Sequence, residues 1–277
     1  MSHADDVKLA PDFAAFDEQK IATMESITEP AMSVAAIAGP ADQLLKLSGI
    51  TGKVKTDPVY LLESAAGAGC LTAALLRAVP ANEAKDLKIV CGDVVPEMVK
   101  LAAARSSKEG WKGVETKVFD GMDIPYPDGT FTHAMIHYGI QLYPDPSKGI
   151  SENHRVLQPG GTFAVSVWHT PGFLPYLVRA NPDFTVPAPM RHPLTKRETA
   201  PPTLEQAGFT NVRMEDVVVP VDFESPAQAV AQWYSLMKGM FKDEEMAKRV
   251  EELLRADHGD RAFKLDWKGL NVAAEKV

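Results

Sequence analysis

Residues 59–69 read VYLLESAAGAG, an apolar run that ends in a carboxylate and continues into small residues. Val, Tyr and Leu in such a run are typical of a buried β-strand, and small residues directly after it are typical of a turn into a helix. Because no side chain after Glu63 in this stretch is larger than Ser, the backbone can approach a ligand closely. The stretch therefore predicts a strand, a ligand-binding loop and a helix in succession.

Outward from this stretch, short β-rich runs alternate with helical ones from residue 58 to residue 167. This alternation is typical of βαβ units in a parallel sheet. The predicted strands lie at 59–63, 87–92, 114–118, 131–137 and 161–167, and the linking helices at 69–79, 96–107 and 147–156.

Beyond Trp168 the alternation stops. Prolines are frequent between residues 169 and 202, so we expect a loop-rich segment there. It is followed by a predicted helix at 203–208, a strand at 211–223, a helical stretch at 225–257 and a last strand at 265–276. We expect one domain in three parts: a helical cap segment at 1–50, a ligand-binding core at 51–168, and an insertion with a lid and the last strands at 169–277.

The composition restricts the class of protein. The chain carries 29 Lys and Arg against 37 Asp and Glu, and this net charge of -8 disfavours a nucleic-acid partner. Cys70 and Cys91 cannot form a disulfide framework, which suits a reducing compartment. No apolar run is long enough to span a membrane, and no spacing of His, Asp and Glu indicates a metal site. We expect a cytoplasmic protein with no metal and no membrane partner.

Three acids end three successive predicted strands: Glu63, Asp93 and Asp120. Because the C-terminal ends of parallel strands meet at one edge of a sheet, we expect these carboxylates to line one crevice. Such a rim does not suit a phosphate; it suits a phosphate-free nucleoside with a cationic centre. A dinucleotide fingerprint would need glycine where the chain has Thr72, and no Walker A loop follows the small residues.

Five motifs carry a resemblance to a known family. They are ESAAGAG at 63–69, CGDVVPEM at 91–98, FDGMDIPYPDGTF at 119–131, LYPDP at 142–146 and RVLQPGG at 155–161. In order and spacing they resemble the class I S-adenosylmethionine-dependent methyltransferases, especially the small-molecule group called type 11. The aromatic-rich cap and the EGW at 109–111 are similar to fungal natural-product tailoring methyltransferases, which implies a role in secondary metabolism.

This resemblance implies a doubly wound α/β fold: a Rossmann-like, mainly parallel seven-stranded sheet whose last strand is antiparallel. It also implies S-adenosylmethionine as cofactor and methyl transfer to an O, N or S atom of a small, largely apolar metabolite. The oligomeric state stays open.

The resemblance assigns roles to individual residues. Glu63, Ala65 and Gly67 would lie at the methionine moiety and Asp93 at the ribose hydroxyls. The adenine contacts would be Val94, Met98, Asp120, Gly121 and Met122, and His137 would lie by the sulfonium. Glu63 and Ala65 replace the usual Asp and Gly, which predicts a tighter or shifted loop.

His137 is the candidate catalytic residue, either as a general base or as a packed, hydrogen-bonded histidine. Two other side chains, His169 and Tyr143, compete for the role of base. The side chains expected to line an aromatic, apolar substrate pocket are Phe16, Tyr143, His169, Trp233 and Met237.

Two alternative functions remain open from the sequence. The same fold could use the cofactor's sulfonium as a fixed charge for a pericyclic or cyclisation reaction without methyl transfer. It could also be a non-catalytic binding protein, which only the departures at Glu63 and Ala65 favour. The mass of the product separates the first alternative from methyl transfer, because transfer adds one methylene unit.

Overall fold

A seven-stranded sheet forms the centre of the molecule in the computed structural model, which describes residues 39–80, 82–186, 191–236 and 238–277. The strands are β1 (Pro58–Ser64), β2 (Asp86–Asp93), β3 (Val114–Val118), β4 (Phe131–His137), β5 (Leu157–Thr170), β6 (Phe209–Phe223) and β7 (Phe263–Lys276). Their order is β3-β2-β1-β4-β5-β7-β6. The pairs from β3 to β5 are parallel, and β7 is antiparallel to both β5 and β6. The predicted fold class is confirmed.

Helices cover both faces of this sheet. They are α1 (Gly39–Ser48), α2 (Ile50–Thr56), α3 (Cys70–Ala78), α4 (Pro96–Glu109), α5 (Pro146–Val156), α6 (Leu174–Ala180), α7 (Ala200–Gln206), α8 (Pro226–Leu236) and α9 (Glu244–His258). The alternation of side chains along β1 shows how the layers form. Leu61 packs with the apolar residues of α1 to α3, whereas Leu62 packs with those of α5 and α7 on the opposite face.

The C-terminal part has an apolar core of its own, formed by α6, α8 and α9 against β6 and β7. Trp233 lies at its centre, completely buried, with its ring centroid 5.3 Å from that of Phe223 and 6.0 Å from that of Phe173. Trp233 therefore belongs to a packed core, in which an amphipathic stripe buries a helix against a sheet, and its place in a substrate pocket stays a prediction.

The segment from 169 to 202 is more regular than its prolines predict. It contains α6, in which Pro175 occupies the first turn. Proline is compatible with that position because the first backbone N–H groups of a helix have no intrahelical acceptor. Strand β5 crosses the predicted boundary at 168/169.

Two predicted substrate residues, Phe16 and Met237, lie outside the described residues, as do residues 1–38 of the predicted helical cap segment. Of the helices that are described, none combines the length and the apolar character that crossing a membrane requires.

Candidate functional site

The loop after β1 adopts a backbone that favours glycine. Ala65, Gly67 and Gly69 have φ angles of 54°, 54° and 73°. The loop is held by a hydrogen bond from the N–H of Ala66 to the carbonyl of Gly92, at 2.9 Å. A Cβ added to Gly67 would meet no atom within 4 Å. The space beside Gly67 is therefore open, and a ligand can contact the backbone there.

Glu63 is buried beneath this loop. Its Oε2 accepts a hydrogen bond from the backbone N–H of Thr72, at 3.0 Å, and another from the Thr72 hydroxyl. Thr72 lies in the first turn of α3, so the carboxylate satisfies a helix N-terminal donor. Burial raises the pKa of Glu63 to about 7, although the Thr72 hydrogen bonds oppose the rise. The expectation that three carboxylates line one crevice is therefore wrong for Glu63. Its carboxylate lies beneath the loop and binds the first turn of α3 instead.

Asp93, the last residue of β2, joins two loops. Its Oδ2 accepts from the N–H of Gly67 at 2.8 Å and its Oδ1 from the N–H of Val95 at 2.9 Å. Burial raises the pKa of Asp93, and the hydrogen bonds from Val95 and Gly67 oppose this. The carboxylate thus lies against Gly67. Of the residues expected at the adenine, Val94 lies directly after this strand and Met98 lies buried in the first turn of α4.

Asp120 begins the next loop along the same edge. Its Oδ1 accepts from the N–H of Met122 at 2.8 Å, which forms a tight turn around Gly121. The N–H of Phe119 donates to the carbonyl of Asp93 at 3.1 Å, so the loops after β2 and β3 are side by side. The structure therefore brings Asp93 and Asp120 to one edge of the sheet.

Tyr143 lies at this edge, behind Gly121. A Cβ on Gly121 would be 2.0 Å from the Tyr143 hydroxyl oxygen, which accounts for the glycine. This hydroxyl is buried next to the Ser64 side chain, but no hydrogen bond of standard geometry reaches it from the described residues. Burial raises the pKa of Tyr143, and the nearby carboxylates of Asp93 and Asp120 add to the rise. Tyr143 therefore lies with the residues predicted to bind adenine, so its predicted role as a substrate contact or base loses support.

His137, the last residue of β4, is held by a chain of polar side chains. Its Nδ1 lies 3.0 Å from the Ser166 hydroxyl, which in turn donates to Oδ1 of Asn271 at 2.7 Å. The Ser166 hydroxyl therefore links the His137 ring to Asn271 on β7. These contacts fit both a general base held in one orientation and a packed histidine.

The chain that follows His137 touches the glycine-rich loop. A Cβ on Gly139 would lie 2.4 Å from Cβ of Ala65. The end of β4 therefore lies beside the part of the loop that was predicted to be next to the methionine moiety. His169 is half-buried on β5, with Nδ1 2.8 Å from the hydroxyl of Thr170, and burial lowers its pKa.

The sequence analysis missed two groups of residues near these loops. Tyr138 has a φ of 57°, and its ring stacks on that of Trp168. The second group starts on α4, where the Arg105 guanidinium donates to Glu109 at 2.8 Å. The same guanidinium lies 5.7 Å from the centroid of the Trp111 ring, and this ring packs against Gly69. The EGW motif was a signal for the second group. No local signal marks Tyr138, because its partner lies on another strand.

In the part of the chain that the structure describes, no three His, Cys, Asp or Glu side chains are grouped as metal ligands. The model of the ubiE/COQ5 methyltransferase family matches residues 43–176, the segment that contains every loop described above. This segment, about half of the chain, is thus similar to a family of methyltransferases.

Individual proteins similar to this chain are also methyltransferases by name. Methyltransferase tpcH of Aspergillus fumigatus is 34% identical over 130 residues, which is 47% of this chain and 46% of that protein. Acetylaranotin bis-thiomethyltransferase of Aspergillus terreus is 28% identical over 194 residues, 65% of each chain. The aligned segments thus span less than two thirds of either relative.

The fold of the chain also matches a solved structure. The S-adenosylmethionine-dependent methyltransferase of Aquifex aeolicus is similar with a TM-score of 0.54 at 20% identity, over 95% of this chain and 100% of that one. The open space at Gly67 and the buried acceptor Asp93 beside it fit the cofactor of this class, because they offer backbone contact and hydroxyl acceptors without a phosphate site.

Proposed function

We propose that this protein transfers a methyl group from S-adenosylmethionine to an O, N or S atom of a small, largely apolar molecule. The observation that carries the proposal is the contact between Gly67 and Asp93. It joins an open, left-handed backbone position to a buried carboxylate at the sheet edge. When bound, the cofactor supplies an electrophilic methyl group on a positively charged sulfur.

Asp93 is the residue that would hold the ribose hydroxyls. Each of its oxygens accepts one backbone N–H, and a carboxylate oxygen has a second lone pair for a further donor. The turn formed by Asp120, Gly121 and Met122 would hold the adenine edge, and Gly67 and Ala65 the methionine part. These roles agree with the positions that the resemblance assigns.

His137 would remove a proton from the acceptor where the acceptor is an alcohol or an ammonium ion. A thiol or a phenol requires the base less, because it ionises more readily at neutral pH. The contact with Ser166 keeps the ring in one orientation. Beyond that, the protein contributes by aligning the reacting atoms and excluding water.

The names of the relatives favour transfer over the alternatives. The A. terreus relative is named for two thiomethyl transfers to acetylaranotin, which supports sulfur among the acceptor atoms and a role in secondary metabolism. We also propose a reducing compartment such as the cytoplasm, since both cysteines are free thiols and Cys91 is buried.

Calorimetry with S-adenosylhomocysteine tests the binding part of the proposal. We expect saturable binding at one site per chain, and no saturation at millimolar ligand would favour the non-catalytic alternative. Mass spectrometry of the products tests the chemistry. A mass gain of one methylene unit in the acceptor supports transfer, whereas an unchanged product mass with intact cofactor supports a cyclisation.

A further inference from the structure

The connection between β3 and β4 carries the turn at Asp120. It runs from residue 119 to residue 130 and contains neither a helix nor a strand. The N–H of Asp123 donates to the carbonyl of Asp120 at 2.9 Å, which closes the turn. A connection of this length has no regular structure of its own to fix its path. The position of the turn therefore depends on what holds the residues that follow it.

Arg155, in the last turn of α5, holds these residues. Its Nη1 donates to the carbonyl of Tyr126 and its Nη2 to the carbonyl of Ile124, both at 2.9 Å. Nη1 also donates to Oδ1 of Asp128 at 2.8 Å. Nε and Nη2 donate to the two carboxylate oxygens of Glu152, each at 2.8 Å. A guanidinium carries five N–H groups, so every donor of Arg155 has an acceptor.

Glu152 completes the attachment. Its Oε2 accepts from the N–H of Ile124 at 2.9 Å, so the pair of Arg155 and Glu152 binds both backbone polar groups of that residue. Ile124 directly follows Asp123, and its side chain is buried in the core. The hydrogen bonds from Arg155 lower the pKa of Glu152, so both side chains are charged at neutral pH. The chain therefore leaves the turn at one fixed point.

We propose that Arg155 and Glu152 are positioning residues that give the site its preference for adenine. Neither side chain would touch the cofactor. They keep the turn in place, and with it the carboxylate of Asp120, which accepts from the adenine amino group. A base with a carbonyl oxygen in place of that amino group would face the carboxylate without a proton between them. The inference rests on the proposed function, which places the adenine edge at the turn of Asp120, Gly121 and Met122.

Calorimetry of the full chain with two ligands tests this role. The ligands are S-adenosylhomocysteine and S-inosylhomocysteine, which differ only in the base. We expect wild type to bind S-adenosylhomocysteine at least tenfold more tightly. Arg155→Met keeps the apolar length of the side chain and removes its donors. It should weaken S-adenosylhomocysteine binding about tenfold and S-inosylhomocysteine binding less than threefold.

Two further variants sharpen the test. Arg155→Lys should lose nearly as much of the preference for adenine as Arg155→Met, because an ammonium group has three donors and cannot reproduce the planar arrangement of five. If Arg155→Met unfolds, Glu152→Gln decides in its place. That variant should bind S-adenosylhomocysteine about threefold more weakly and leave S-inosylhomocysteine binding unchanged.

Arg213→Met is the matched control. The Arg213 side chain is 37% exposed, against 32% for Arg155, and its Nη1 donates to Glu275 at 2.9 Å. It lies on β6, which is at the opposite end of the sheet from β3. Both affinities should be unchanged in this variant.

Three results would refute the inference. The first is a loss of affinity by the same factor for both ligands in the Arg155 and Glu152 variants, which would show a purely structural role. The second is unchanged affinities in all of these variants. The third is equal affinity of wild type for the two ligands, since no preference for adenine would then exist. Failure of wild type to bind S-adenosylhomocysteine would instead refute the proposed function.

Discussion

The two halves of the ligand-binding edge are built with different chemistry. The loops after β1, β2 and β3 are joined by carboxylates that accept backbone N–H groups, as Asp93 does from Gly67 and Asp120 from Met122. The ends of β4 and β5 are joined by a ring stack and by neutral side chains, such as Tyr138 on Trp168 and His137 on Ser166.

This difference corresponds to two tasks. Backbone groups and carboxylates give a fixed arrangement that suits one invariant ligand, the nucleoside of the cofactor. Aromatic side chains bind by shape and area, and they can be exchanged without rebuilding the loops that hold the cofactor. Substitutions in the first half should therefore act on cofactor affinity, and substitutions in the second half on the acceptor.

Gly67→Val should give the largest effect. Its side chain would fill the open space at the loop, and we expect binding of S-adenosylhomocysteine to weaken more than a hundredfold, measured by calorimetry. Gly129→Val is the matched control, since Gly129 has a φ of 65° and is equally uncrowded but lies in a turn before β4. Both variants should lose about 2 kcal/mol of stability from backbone strain. Equal cofactor affinity in the two would exclude Gly67 from the site.

Asp93→Ala is expected to weaken S-adenosylhomocysteine binding by about 1–3 kcal/mol, because two charge-assisted hydrogen bonds are lost. Asp145→Ala is its control: Asp145 also accepts a backbone N–H, that of Lys148 at 3.0 Å, but it caps α5. That variant should lose stability and keep its affinity. An unchanged dissociation constant for Asp93→Ala would remove Asp93 from the site.

The cofactor half of the edge could be predicted further than the acceptor half. The strand ends and the positions of Asp93 and Asp120 follow from local runs of sequence. The sequence also indicated that the Glu63 side chain points into the protein. Side chains alternate along a strand, so residues 61 and 63 share a face of β1, and Leu61 on that face packs on α3. The expectation of three acids in one crevice overlooked this alternation.

The acceptor half depends on contacts between distant parts of the chain. The φ of Tyr138 is set by Ser166 and Trp168, which belong to the next strand of the sheet. The stripe that contains Trp233 could not be assigned from sequence, because a lid and a packed helix show the same period. Only the pairing of α8 with β6 shows that Trp233 belongs to the core.

Glu63 gives the first half a dependence of stability on pH. The pKa of Glu63 in the folded protein is about 7, against 4.5 for a glutamate in water. The folded state therefore holds the Glu63 proton more tightly than the unfolded state does. The stability that this proton contributes is complete below pH 4.5 and is lost as the pH rises through about 7. Between pH 5 and 7 wild type should lose about 2 kcal/mol relative to Glu63→Gln, measured by urea unfolding. Parallel pH profiles of the two proteins would contradict the raised pKa.

Tyr143→Phe should give the smallest effect. No hydrogen bond of standard geometry reaches its hydroxyl from the described residues, so removal of the hydroxyl should leave stability unchanged or raise it by up to about 1 kcal/mol. Ser166→Ala, which removes a hydroxyl bonded to His137 and Asn271, should lower stability by about 1–3 kcal/mol. Thermal unfolding of both variants gives the comparison.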